Sequence, residues 1–154
     1  LEVGLGLVRF VEGGEGSPLL QRIASLRRQF ALDLGYVFPP VRITDNLRLS
    51  PNEYRILIKG NEVARYEIQR GMELLLPPGQ SGAPQAREVL DNFLAGGAIA
   101  TTEPAFQMPA CWVAEAASER ARQLGCTLVD GLSVLATHFS ETIRRNLHEI
   151  YSRA

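Results

Sequence analysis

The sequence has few of the features that mark specialised classes of protein. Its 154 residues carry a net charge of −1, with both signs mixed along the chain. A dedicated nucleic-acid-binding protein needs a basic patch to offset the phosphates. No apolar run approaches the roughly 20 residues that cross a bilayer as a helix. We therefore expect no nucleic-acid partner and no membrane segment in this chain.

Cysteine and histidine are scarce as well. Cys111 and Cys126 are the two cysteines, and they lack the CxxC or Cys/His spacing of a metal or redox site. His138 and His148 fall on one predicted helix, about 15 Å apart along its axis, too far to share a metal ion within it. We interpret both as helix-surface histidines and expect two reduced thiols. The sequence thus predicts no metal, no cofactor and no enzyme.

The clearest structural pattern is a β-hairpin within residues 45–68. A lead-in strand over residues 41–45 and a turn at Ser50-Pro51-Asn52 precede it. Apolar residues then alternate at period two, which is typical of a strand with one buried face: Tyr54, Ile56 and Ile58 in the first strand, and Ala64, Tyr66 and Ile68 in the second. Gly60-Asn61 is predicted to be the two-residue turn between them.

Two amphipathic helices and a first strand complete this part of the chain. Residues 1–10 predict the strand. Ser17 as N-cap, Pro18 at the first helical position and Gly35 at the end delimit one helix. Its apolar stripe is Leu19, Ile23, Leu26, Phe30 and Leu34. A second stripe predicts a helix over residues 132–151: Leu135, Phe139, Ile143, Leu147 and Ile150. Thr137 should face away from it.

The pattern changes after Gly71. An apolar run at residues 72–76 is followed by a helical pattern at 83–94, strands at 99–102 and 110–114, a helix at 114–124 and a strand at 126–129. Strand, helix, strand, strand, helix, strand is the order of a ferredoxin-like domain. We therefore expect such a domain at about residues 71–130.

Most of the chain resembles one known family. The stretches LEVGLGLV, LLQRIASLRRQFALDLGYVFPPVRITDNL, PNEYRILIKGNEVARYE, EPAF before the strand of Trp112, and VLATHFSETIRR are similar to the cytosolic part of the FlhA family, the large inner-membrane component of the flagellar type III export gate. The chain begins at Leu1 without a methionine, so we expect a piece of a longer protein.

The resemblance implies an α/β (α+β) fold with two subdomains. A thioredoxin-like subdomain would comprise residues 1–70 and 131–154, and a ferredoxin-like (RRM-like) subdomain at 71–130 would be inserted in it. The intact protein would be an integral membrane protein whose cytosolic part forms a homo-oligomeric, nonameric ring at the cytoplasmic face of the bacterial inner membrane. It would act without catalysis, as a docking platform that also contacts other components of the export apparatus.

The resemblance also implies the docking residues. In the family, a hydrophobic groove between the two subdomains receives export chaperone–substrate complexes, with flagellin and filament-type chaperones. The family's motif is similar to Asp-Pro-Ala-Phe together with the threonine of Ala-Thr-His. The matching positions here are Glu103, Phe106 and Thr137. Glu103 stands where aspartate is expected, with the same charge and one more methylene, so a polar contact with altered geometry is expected there.

Alternatives remain open at this point. The equivalent export gate of a virulence injectisome is homologous, although PNEYRILIKGNEVAR resembles the flagellar branch more closely. A ferredoxin-like RNA-binding module is a hypothesis from another class, but such modules stack bases on aromatic and basic strand residues. The segment MPACWV offers one tryptophan and no adjacent basic residue. An uncharacterised enzyme would require a perturbed titratable cluster in a pocket.

Overall fold

The computed structural model describes residues 1–12, 17–35, 41–79 and 84–147. His148 and the end of the last predicted helix lie outside the described residues. In chain order, the helices and strands are β1 (Glu2–Val3), α1 (Pro18–Leu34), β2 (Thr44–Asp45), β3 (Glu53–Ile58), β4 (Asn61–Glu67), β5 (Met72–Leu76), α2 (Pro84–Ala95), β6 (Ile99–Thr102), β7 (Pro109–Ala114), α3 (Ser118–Gln123), β8 (Thr127–Val129) and α4 (Gly131–Arg145).

The chain divides into two compact units. The first unit contains residues 1–68 and 136–154, and the second unit contains residues 69–135. Each unit has its own four-stranded sheet, so the predicted α/β fold class is confirmed. In the described part of the chain, no helix combines the length and apolar character needed to cross a membrane.

The sheet of the first unit has the strand order β2-β1-β3-β4. β1 and β2 are parallel and are joined through α1, whereas β3 is antiparallel to both β1 and β4. Tyr54, Ile56 and Ile58 are buried on one face, as the alternation predicts. The opposite face of β3 is half-buried and carries Glu53, Arg55 and Leu57, and there the Arg55 guanidinium lies 2.6 Å from the Glu2 carboxylate.

The turn of the β3–β4 hairpin lies one residue before the predicted position. Lys59 and Gly60 form it, with φ angles of 52° and 82°, and both central residues of a type I′ turn require positive φ. A turn at Gly60-Asn61 would put Ile56 opposite Arg65. The observed register pairs Ile56 with Ala64 and, further along, Tyr54 with Tyr66. The buried face therefore sets the register, and a bulge absorbs the difference.

The prediction of one strand over residues 1–10 is wrong beyond Val3. After β1 the chain enters a 3₁₀ helix, Leu5–Phe10. The Gly4 N–H donates to the Glu53 carbonyl at 2.8 Å, and the Gly6 N–H donates to the Pro51 carbonyl at 2.7 Å. A Cβ on Gly4 would lie 2.1 Å from the Ser50 carbonyl oxygen. The glycines therefore allow a close backbone contact that ends the strand. The lead-in strand β2 is likewise shorter than predicted.

Helix α1 confirms the predicted helix and both of its ends. The Ser17 hydroxyl accepts a hydrogen bond from the Leu20 N–H at 3.2 Å, so it acts as the N-cap. Gly35 ends the helix with φ 71°, a left-handed conformation that glycine adopts without steric cost. Three residues of the predicted stripe are fully buried: Leu19, Ile23 and Phe30.

The second unit has the predicted ferredoxin-like order. Its sheet runs β6-β7-β5-β8 and is antiparallel throughout, with α2 and α3 as the two crossovers. The core contains Leu75, Leu90, Phe93, Cys111, Val113, Ala121 and Cys126. The helix predicted over residues 114–124 is shorter, because Ala114 still pairs in β7 and Glu115–Ala117 form a 3₁₀ turn before α3.

Candidate functional site

The candidate site centres on the turn between β6 and β7 in the second unit. The Glu103 N–H donates to the Met108 carbonyl at 2.7 Å, which closes the turn just beyond the paired strands. Phe106 lies within this turn and is 54% exposed, although it is a large apolar residue, whereas its neighbour Ala105 is fully buried. The turn therefore presents an aromatic ring to solvent from a base that is anchored in the fold.

The Glu103 side chain organises this turn from within. It is 6% exposed, and its two carboxylate oxygens accept hydrogen bonds from the backbone N–H groups of Ala105 and Phe106, both at 2.8 Å. A carboxylate that accepts from amides two and three residues later resembles a helix N-cap in its local chemistry. Gln107 follows with φ 58°, a left-handed conformation that costs about 1 kcal/mol for a residue with a Cβ.

Thr137 belongs to the first unit, on the part of α4 that begins at Ala136. Its side chain is exposed, while Leu135 and Phe139 are buried, as the predicted helical spacing requires. Of the three predicted site residues, the structure thus brings Glu103 and Phe106 into one hydrogen-bonded turn. It places Thr137 on a separate element.

The prediction that His138 is a surface histidine is wrong. It is 6% exposed, and its Nδ1 lies 2.6 Å from the Tyr54 hydroxyl. The Tyr54 and Tyr66 rings meet the imidazole edge-on, with centroids 5.6 and 6.3 Å away. Burial lowers the pKa of His138 to about 4, and the charge of Arg145 contributes in the same direction. The imidazole is therefore neutral at physiological pH.

A sequence signal for this burial did exist. His138 follows Leu135 by three residues, and Thr142 follows His138 by four, so both lie beside the apolar stripe of α4. Thr142 is also buried, and its hydroxyl donates to the His138 carbonyl at 2.7 Å. If the helical spacing is given more weight than the residue type, the sequence predicts both residues in the core.

Sulfur and metal chemistry find little support in the described residues. Cys111 and Cys126 are free and buried. Burial raises the pKa of Cys111 to about 11, with a smaller contribution from Cys126, and burial also raises the pKa of Cys126. Both thiols are thus protonated and poorly reactive at neutral pH. Within the described ranges, no group of three or more histidine, cysteine or acidic residues is arranged to hold a metal ion.

An apolar groove lies beside the Phe106 turn, within the second unit. It encloses about 490 Å³ between α2 and the strands β6 and β7. Leu90 and Leu94 of α2 line one wall, and Ala100 and Met108 line the other, with Arg87 as a charged group at the site. No residue of this groove was predicted from the sequence, because the groove forms only where α2 packs beside β6 and β7 in the folded unit.

The whole chain, residues 1–154, matches the FHIPEP family. It is 44% identical to the flagellar biosynthesis protein FlhA of Bacillus subtilis over 152 residues, which cover 99% of this chain and 21% of that protein. It is 39% identical to the FlhA of Borreliella burgdorferi, over 99% of this chain and 20% of that protein. The chain therefore spans about a fifth of the length of the curated relatives it matches.

Solved structures share the fold at low sequence identity. The Chlamydia pneumoniae CdsV and CdsO protein complex matches with a TM-score of 0.71 and 21% identity, over 98% of this chain and 44% of that chain. The C-terminal domain of InvA matches with a TM-score of 0.69 and 20% identity, over 99% and 42%. Nonameric EPEC SctV-C matches with a TM-score of 0.53 and 9% identity, over 98% and 40%.

Proposed function

The chain belongs to the FHIPEP family, and on that premise we propose that it is a non-enzymatic docking module of a type III protein export gate. Its cargo is an export chaperone–substrate complex, and the docking residues are Glu103, Phe106 and Thr137. The observation that carries the proposal is the exposed Phe106 ring on a hydrogen-bonded turn.

The physical case rests on how the turn presents this ring. A binding surface loses free energy when its side chains and loops become ordered on association. The Phe106 turn is already held by the Glu103 carboxylate and by the Glu103–Met108 backbone bond, so little further ordering is needed. A preorganised aromatic beside an apolar groove is a typical hot spot for a protein partner.

We propose the flagellar branch of the family as the setting. The curated relatives at 44% and 39% identity are flagellar FlhA proteins, whereas the structural matches from injectisome-type proteins are 21% identical or less. The proposal extends to the intact protein: a homo-oligomeric ring at the cytoplasmic face of the inner membrane, contacting other export components. Two structural relatives, CdsV in complex with CdsO and the nonameric SctV-C, support this extension by analogy.

We also propose that the two units correspond to the two subdomains predicted at residues 1–70 with 131–154 and at 71–130. The discontinuous first unit, with its parallel β1–β2 pair joined through α1, supports the thioredoxin-like description. The strand order of the second unit supports the ferredoxin-like one.

Isothermal titration calorimetry tests the proposal. The chain is titrated with the flagellin chaperone–flagellin complex of the same organism, as wild type and as the Phe106→Ala variant. We expect saturable binding that the substitution weakens by more than about 1 kcal/mol, or over fivefold. Circular dichroism establishes that the variant is folded.

Leu32→Ala is the matched control. Leu32 is a large apolar residue of α1, in the first unit, that is 85% exposed, so its truncation removes a comparable apolar surface from an element other than the turn. Its affinity should equal that of the wild type. Equal affinities for the wild type and Phe106→Ala would contradict the site, and absence of binding by the folded wild-type chain would contradict the docking function of this segment.

A further inference from the structure

Both oxygens of the Glu103 carboxylate accept hydrogen bonds inside its own turn. It is 6% exposed, and each of its two oxygens accepts one backbone N–H, at 2.8 Å in both cases. A partner protein that approached Glu103 directly would have to compete with these bonds at a buried group. The direct polar contact with a partner that was expected from the sequence would therefore fall on a group that is almost wholly buried.

The two accepted amides belong to the residues that define the direction of the Phe106 ring. Their hydrogen bonds to the Glu103 carboxylate hold the backbone on the N-terminal side of the Phe106 ring. On the C-terminal side of Phe106, Gln107 adopts φ 58°, a conformation that a free chain populates only sparsely. Of the hydrogen bonds that Glu103 makes in the described residues, only its backbone bond to Met108 would remain without the carboxylate.

We propose that Glu103 is a positioning residue, which holds the turn so that Phe106 is presented for docking, and that it makes no direct contact with the partner. This inference rests on the proposed function, because it assigns a role within the same site. It predicts that the effect of Glu103 on affinity passes through Phe106. It also predicts which substitutions of Glu103 are tolerated.

Three substitutions separate geometry from charge. Glu103→Asp keeps two acceptor oxygens, and aspartate commonly accepts from amides two and three residues later, so affinity should stay within about twofold of the wild type. Glu103→Gln replaces one acceptor with an amide donor and should weaken binding roughly three- to tenfold through lost preorganisation. Glu119→Gln removes an equal charge from an exposed site on α3 and should leave affinity unchanged.

A double-mutant cycle tests whether Glu103 affects the binding affinity through Phe106. In the Phe106→Ala background, Glu103→Gln should weaken binding by less than about twofold, because the residue it positions is gone. If the two fold-changes multiply instead, Glu103 contacts the partner directly and the inference is overturned. Equal weakening by Glu119→Gln would also overturn it, since the partner would then sense charge alone.

A readout without any partner keeps this test separate from the docking proposal. Hydrogen exchange of the Ala105 and Phe106 amides, followed by NMR, should be slow in the wild type and in Glu103→Asp and at least about tenfold faster in Glu103→Gln. Unchanged exchange in Glu103→Gln would refute the positioning role. A different outcome would separate the two proposals: exchange that becomes fast in Glu103→Gln, together with no effect of Phe106→Ala on binding. That outcome would refute the proposed docking site and leave the positioning role of Glu103 in place.

Discussion

Burial of His138 should make the first unit sensitive to mild acid. The folded pKa is about 4 and the ordinary value is 6.5, so as the pH falls the unfolded state takes up the proton first. The stability that depends on a neutral His138 is fully present above about pH 6.5 and is lost progressively as the pH approaches 4. Groups facing the imidazole are the Tyr54 and Tyr66 rings and the Arg145 charge.

The expected magnitude follows from proton linkage. At pH 5 the unfolded imidazole is mostly protonated while the folded one is mostly neutral, which lowers the free energy of unfolding by about 2 kcal/mol relative to pH 7.5. Glu2 acts in the same direction, because its hydrogen bond from Arg55 lowers its pKa. Because a variant that lacks only the imidazole keeps Glu2, the difference between the two proteins excludes the contribution of Glu2.

His138→Asn is the suitable variant. An asparagine amide oxygen can occupy the place of Nδ1 and accept from the Tyr54 hydroxyl, but it does not titrate. Urea denaturation of both proteins is followed by circular dichroism at pH 7.5 and pH 5. The wild type should lose about 2 kcal/mol more than the variant over this interval.

The same reasoning has a direct spectroscopic check. The imidazole Cε1 proton of His138, assigned by its absence from the His138→Asn spectrum, should titrate near pH 4 in the folded protein. A midpoint near 6.5, or equal acid sensitivity of the two proteins, would refute the claim that burial determines the charge state of this residue.

Two further predictions concern backbone contact and thiol burial. Gly4→Ala should lower the free energy of unfolding by about 2 kcal/mol or more, because the new Cβ would lie 2.1 Å from the Ser50 carbonyl oxygen. Gly96→Ala, where the nearest atom is 3.5 Å away, should change it by less than about 1 kcal/mol in urea denaturation. Cys111 and Cys126 should resist iodoacetamide at pH 8 in the folded protein and react after unfolding, as mass spectrometry would show. Rapid alkylation of the folded protein would contradict their burial and their raised pKa values.

Elements with strong local signals were predictable from the sequence. The Ser17 cap, the apolar stripe and Gly35 determine both ends of α1, because each signal acts within one or two turns of the helix. The ferredoxin-like order of the second unit was predictable for a related reason. Each strand or helix there is short and has a glycine or proline within two residues of at least one end, so the pattern changes sharply along the chain.

Elements that depend on distant contacts were not predictable in this way. Residues 5–10 leave the sheet because Gly4 and Gly6 approach the backbone at Ser50 and Pro51, and no local pattern reveals that approach. The hairpin turn moved by one residue, since the pairing of buried side chains outweighed the local preference of Gly60-Asn61. In both cases, contacts made outside the turn or strand segment itself decided the local conformation.

The candidate site was only partly accessible to sequence reasoning. Composition alone favours a buried Phe106, and the expectation of exposure came from the family resemblance. The engagement of Glu103 with the Ala105 and Phe106 amides depends on the turn conformation, which the letters EPAF do not determine. The assignment of Glu103, Phe106 and Thr137 to docking stays a prediction. Half of the proposed interface belongs to the partner protein, which the sequence of this chain does not describe.

Site-specific photo-crosslinking tests whether Phe106 contacts the chaperone complex. A benzophenone analogue of phenylalanine is incorporated at position 106 or, as a control, at position 32, where the native side chain is also exposed. Each protein is irradiated with the flagellin chaperone–flagellin complex, and products are identified by mass spectrometry. We expect crosslinks to the chaperone complex from position 106 and none from position 32. Crosslinks from position 32 alone, in a complex that forms with normal affinity, would contradict this expectation.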